Sequence, residues 1–170
     1  MTGKKIGIVM GSDSDLSTMQ ETLNVLDEFG VKYDVDVVSC HRSLRAHKYA
    51  VSAEKKGYKV IIGGAGGAAH LAGVIASLTP LPVIGVPMLT SDLGGLDSLY
   101  STVQMPGGVP VAAVGIGKAG AKNAAILAIQ ILSTADKGLR RKILDYKKKQ
   151  ADKVVQKDKT VKKILKKLRS

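Results

Sequence analysis

Tryptophan is absent from this chain, phenylalanine and cysteine each occur once, and aromatic residues make up only 4% of it. A core without large rings has to be packed from Ala, Val, Ile and Leu against Gly, with backbones in close approach. The single cysteine, Cys40, excludes an internal disulfide and a cysteine-based zinc cluster, and it fits a reducing compartment. No apolar run reaches the ~20 residues of a membrane-spanning helix, and Met1 to Lys5 leading straight into a strand does not form a signal peptide. These absences set the expectation of a cytoplasmic protein with no membrane partner. Acidic residues are also in deficit: 26 Lys and Arg stand against 14 Asp and Glu, a formal charge of +12. Most of that excess lies beyond Ala135, in clusters such as Arg140-Arg141-Lys142, Lys147-Lys148-Lys149 and Lys162-Lys163. A run of this kind reads as a solvated helix face, and without an aromatic platform it does not read as a nucleic-acid site.

What the chain does contain is a series of short apolar strands that each stop at small polar residues. Ile6 to Met10 ends at Gly11-Ser12-Asp13-Ser14-Asp15, the pattern of a buried parallel strand feeding a helix. Two readings of this junction stand side by side. Unpaired amides at the helix start, with the hydroxyls of Ser12 and Ser14, suit a phosphate, and Asp13 or Asp15 suits a ribose hydroxyl. Alternatively, Ser12 or Asp13 simply caps the helix. Met19, Leu23, Leu26 and Phe29 then recur at helical steps, with Gly30 as the C-cap.

Tyr33 to Val38 reads as a second strand ending at Ser39-Cys40-His41-Arg42-Ser43. Parallel strands open on one edge of a sheet, so His41 and Arg42 should emerge beside Ser12 and Asp15. Arg42 offers a planar fork for a phosphate or carboxylate, and His41 a group that exchanges protons near neutral pH. His47 falls inside the next helix, Ala46 to Lys56, and reads as a surface residue. Tyr58 to Ile62 is a third strand running into Gly63-Gly64-Ala65-Gly66-Gly67-Ala68-Ala69-His70. This glycine-rich turn would let a ligand lie on bare backbone, although tight strand-helix packing asks for the same residues and no P-loop ending follows. His70 fits either a site residue or a helix residue with a structural hydrogen bond.

Leu71 to Leu78, Leu96 to Val103 and Ala121 to Leu132 read as helices, and Pro82 to Val86 and Val111 to Val114 as strands. Ala121 to Leu132 is apolar on nearly every face, which suggests packing against a partner subunit. The last segment should begin as a helix and end in a tail that lies over another subunit or frays. The alternation gives an α/β fold, a three-layer sandwich around a central parallel sheet of flavodoxin-like or Rossmann-like type. Residues 1–136 form the catalytic domain in this reading, and residues 137–170 a basic helical extension packed on it or projecting from it.

Gly11-Ser12-Asp13-Ser14-Asp15, Ser39-Cys40-His41-Arg42, Gly64-Ala65-Gly66-Gly67-Ala68-Ala69-His70-Leu71 and Asp97-Ser98-Leu99-Tyr100-Ser101 with Val103-Gln104-Met105-Pro106 together resemble the N5-carboxyaminoimidazole ribonucleotide mutase family of purine biosynthesis. The resemblance implies a homo-octamer with sites shared between subunits, using no metal and no cofactor. Its reaction moves a carboxyl group on a small ribonucleotide substrate from the exocyclic nitrogen to ring carbon C4. Carried over, His41 becomes the general acid and base. Ser12, Ser14, Asp15, Ser39, Arg42 and Leu71 bind the substrate, and the Gly64 to His70 turn, with Gly64, Ala65, Gly66, Gly67 and His70, holds the migrating carboxyl group. Cys40 departs from the usual alanine, Ser43 from threonine and Ala72 from proline. Alternatives are direct carboxylation of aminoimidazole ribonucleotide by free CO2, and a non-catalytic nucleotide- or nucleic-acid-binding protein.

Overall fold

A computed structural model of the chain describes residues 5–169. Five strands, β1 (Lys5–Met10), β2 (Lys32–Val37), β3 (Tyr58–Ala65), β4 (Val83–Pro87) and β5 (Ala112–Ala113), form one sheet in the order β2-β1-β3-β4-β5, and every pairing is parallel. That order is the flavodoxin-like one, so of the two sheet types left open by the alternation of elements it is the flavodoxin type that forms. The helices are α1 (Leu16–Phe29), α2 (Arg45–Ser52), α3 (Leu71–Ala76), α4 (Leu96–Val103), α5 (Gly117–Ser133) and α6 (Lys137–Leu168).

Neighbouring residues of β3 show how the helices are distributed. Gly63 lies against Ala72 of α3, whereas Gly64 lies against Met19 of α1. Successive residues of a strand point to opposite faces, so α1 and α3 cover opposite sides of the sheet. On the α3 side Val9 and Ile61 pack with Tyr49 and Ala50 of α2 and Leu71 and Ile75 of α3. On the α1 side the fully buried Thr22 donates a 2.8 Å hydrogen bond to the carbonyl of Ala121, tying α1 to α5. Alanine and glycine do what rings do elsewhere: a side chain at Gly120 would overlap the carbonyl of Gly115, so only glycine permits that approach.

Several boundaries differ from the expectations. Strand β3 continues to Ala65, so Gly63 and Gly64 belong to the sheet and the turn proper starts at Gly66. Helix α2 stops at Ser52, and β5 has only two residues. Helix α5 begins at Gly117 and buries one stripe, including Ala121, Ala124, Ala128 and Leu132, while Lys118, Lys122 and Asn123 are exposed. The last segment does not fray among the described residues: α6 runs unbroken from Lys137 to Leu168, and the Asp136 carboxylate caps it by accepting from the amides of Gly138 and Leu139. The chain divides into two compact units, Met1–Leu132 with the sheet and Ser133–Ser170 with α6. No helix among the described residues is long and apolar enough to cross a membrane.

Candidate active site

Four strand ends are held together by backbone hydrogen bonds that continue the sheet past its last regular pairs. The amide of Gly11 donates to the carbonyl of Gly64 at 3.0 Å, that of Val38 to Met10 at 2.8 Å, and that of Met88 to Ala65 at 2.9 Å. The loops after β1, β2, β3 and β4 therefore share one rim. The chain leaves β1 for α1 on one face and β3 for α3 on the other, and the crevice opens where adjacent connections part in this way. A cleft of about 380 Å³ lies there. Its wall includes Ser12, Ser14, Asp15, Ser39, His41, Arg42, Ala65, Gly66 and Leu71, the larger part of the residues expected from the sequence.

Ser12 meets the capping expectation. It is the N-cap of a short 3-10 turn, Asp13–Asp15, and forms a reciprocal box in which its own amide donates to Asp15 Oδ2 at 3.0 Å. The Ser12 hydroxyl donates to Asp13 Oδ1 and accepts from the Ser14 hydroxyl at 2.9 Å. The same two serines face the cleft, so capping and ligand binding draw on one set of groups. Burial pushes the Asp15 carboxyl above its ordinary value, opposed by hydrogen bonds from the amides of Ser12 and Gly11. Asp13 is not on the cleft wall.

His41 and Arg42 are both exposed on the loop after β2, where the Ser43 hydroxyl donates back to the Ser39 carbonyl at 3.3 Å. His41 Nε2 and His70 Nδ1 lie 2.9 Å apart with the two rings edge to face. One of these nitrogens must carry the shared proton, and a protonated His41 keeps the contact only while His70 is neutral. His70 thus meets the site through His41 rather than through the cleft wall. Cys40 is half-buried on that wall, and burial raises its thiol pKa, the wrong direction for a nucleophile.

Gly64 and Gly67 do not reach the cleft. Gly64 is buried in β3 beneath the side chains of Met19 and Met88. The Gly67 amide is spent on the Ser98 hydroxyl at 3.0 Å, and its carbonyl accepts from Ser101. The backbone facing the cleft on this side is instead that of Ala65, Gly66 and Ala68. Ala68 lies within the turn expected to hold the carboxyl group, whereas Gly11 and a fourth wall, Met88, Leu89 and Thr90 after β4, are not among the site residues expected from the sequence. Thr90 is set by its own hydrogen bonds: its hydroxyl donates to Asp97 at 2.8 Å and accepts from the Gly95 amide at 3.0 Å. The first of these holds the Asp97 carboxyl below its ordinary value. The sequence signal beside this loop is the Asp97-Ser98-Leu99-Tyr100-Ser101 motif, whose first residue accepts from the Thr90 hydroxyl. Among the described residues no group of three or more His, Cys, Asp or Glu is placed to hold a metal ion.

Comparison with known proteins identifies the family. The AIR carboxylase family matches residues 5–153. The N5-carboxyaminoimidazole ribonucleotide mutase of Thermotoga maritima is 54% identical over 154 residues, covering 90% of this chain and 89% of the relative. That of Escherichia coli is 52% identical over 153 residues, covering 89% and 90%. A crystal structure of Treponema denticola PurE superposes with a TM-score of 0.80 at 28% identity, covering 92% of this chain and 98% of that one. The chain belongs to the AIR carboxylase family.

Proposed function

We propose that this chain catalyses the mutase reaction, converting N5-carboxyaminoimidazole ribonucleotide to 4-carboxyaminoimidazole ribonucleotide in purine biosynthesis. The observation that carries the reading is the position of His41, on a cleft with Ser12, Ser14, Asp15 and Arg42 on the same wall and the small residues Ala65, Gly66 and Ala68 across the rim. Arg42 and the two serines offer donors for the phosphate, and Asp15 an acceptor for a ribose hydroxyl.

The substrate is a carbamate. A proton delivered by His41 to its nitrogen lets the carbon-nitrogen bond break with loss of CO2, the bonding electrons remaining on nitrogen. The freed CO2 is retained beside Ala65 and Gly66, where the absence of bulky side chains leaves it room. Ring carbon C4 attacks it, and His41, now neutral, takes the proton from C4 and restores aromaticity. His41 ends as it began, so no external acid or base is consumed.

We further infer a cytoplasmic homo-octamer with sites shared between copies; the assembly draws support from an apolar surface beside the cleft, where Leu89, Leu93, Leu96, Tyr100 and Val103 are all exposed. Light scattering of the purified chain measures that assembly. A second enzymatic reading, direct carboxylation of aminoimidazole ribonucleotide by CO2, is favoured by the description of the matched family. Supplying each substrate separately, with and without excess bicarbonate, decides between them. Turnover of the carbamate without bicarbonate supports the mutase. Turnover of aminoimidazole ribonucleotide alone, strictly dependent on bicarbonate, overturns it.

A further inference from the structure

Residues 137–170 hold 15 of the 26 Lys and Arg but only 3 of the 14 Asp and Glu, so the entire formal charge of +12 belongs to them and residues 1–136 are balanced. Nearly all of this charge is on α6, whose 32 residues make a rod of about 48 Å. The helix is also apolar along one side. Val154, Val161, Leu165 and Leu168 follow one another at steps of seven, four and three residues and fall within one narrow arc, continuing a line begun by Leu144 and Ala151. The four residues of the distal stripe are exposed, Leu168 to 77%. They also lie past residue 153, where the family match ends, so the family's chemistry gives no account of them.

From this combination we infer that α6 is a docking surface for an anionic phospholipid bilayer. A nucleic acid would neutralise the lysines but leave the apolar stripe in water, and no aromatic residue follows Tyr146 to stack on bases. Pairing the stripe with α6 of a second copy would bring two strongly cationic rods into contact. A bilayer carrying anionic headgroups satisfies both halves of the helix at once. The Val and Leu side chains enter the headgroup boundary, and the lysines flanking them extend their stems along the apolar surface and place their ammonium groups among the phosphates. Binding of this kind is peripheral and reversible, with the helix lying in the plane of the interface.

The test is co-sedimentation of the full chain with phosphatidylcholine vesicles containing phosphatidylglycerol, against vesicles of phosphatidylcholine alone. The expected result is binding to the anionic vesicles at low salt, release at high salt, and little binding to the neutral ones. Val161→Ser with Leu165→Ser keeps every charge and should weaken vesicle binding by at least about tenfold through lost apolar burial, while turnover in solution stays unchanged. Four results overturn the inference: no binding to anionic vesicles at low salt; equal binding by the serine variant; salt-sensitive retention on duplex DNA in place of vesicle binding; or a change in particle mass caused by the serine substitutions, which would assign the stripe to contacts between copies.

Discussion

Gly64→Ala tests whether the glycine-rich stretch acts by spacing as well as by exposing backbone. An alanine Cβ at this position would lie 2.7 Å from Met19 Sδ and closer still to Met88 Cε. Neither distance is tolerable, so one methionine or both must move. Met88 can yield at its far end, but it also forms part of the cleft wall, and its yielding narrows the space for the ligand. Met19 is fully buried in α1 and has little freedom to shift. Overpacking of one methyl in a dense core costs about 1–3 kcal/mol. In a chain of this length that lowers the melting temperature by roughly 2–4 °C per kcal/mol. The expected outcome is a fall on the order of 5 °C measured by calorimetry, together with a raised KM. Met88→Ala, placed in the Gly64→Ala background, removes the nearer clash and should relieve the KM defect, but only part of the stability loss should return because the contact with Met19 remains. If Gly64→Ala melts and binds like the parent chain, the close contact with the two methionines is not what requires glycine there.

Further outcomes follow from the site. His41→Asn should lower kcat by at least about 10²-fold with substrate still bound, whereas His70→Asn, which removes one hydrogen bond between exposed rings, should cost only a few-fold; steady-state kinetics compares them. Arg42→Ala should raise KM by about 10–150-fold, the value of a charge-assisted hydrogen bond, with a smaller change in kcat. The half-buried Cys40, its thiol pKa raised, should react slowly with iodoacetamide at neutral pH, and Cys40→Ala should retain turnover; rapid alkylation would contradict the burial argument. Asp15 has its carboxyl pKa raised in the folded chain, so ionising it costs stability. That cost should set in as pH climbs past 3.8 and level off above the raised folded value, and Asp15→Asn should remove this segment from a stability-against-pH curve.

The strand-turn-helix units were legible because each carries its own punctuation. Met10 to Gly11 and Phe29 to Gly30 change residue class abruptly, and Gly30 indeed takes the left-handed conformation at the end of α1. His41 and Arg42 could be placed beside Ser12 because parallel strands leave no other edge for them. Gly63 and Gly64 read as turn from the sequence because nothing local distinguishes a glycine pressed flat in a strand by a packed helix from one in a loop. Only tertiary contacts tell them apart, Gly63 with Ala72 and Gly64 with Met19 and Met88. The wall formed by Met88, Leu89 and Thr90 escaped notice for a related reason: two of its three side chains carry no chemistry, and their role depends on where β4 ends. The meeting of His41 with His70 joins residues 29 positions apart and follows from the sheet order, which no single segment encodes.

The confinement of all excess charge to residues 137–170 has a practical side. The sequence isoelectric point of about 9.8 describes the appendage and not the catalytic body, whose charges cancel. Protein clipped near Asp136 would lose its grip on a cation-exchange resin while keeping every residue of the cleft. Elution position on such a column is therefore a direct assay of chain integrity that enzymatic activity alone cannot provide.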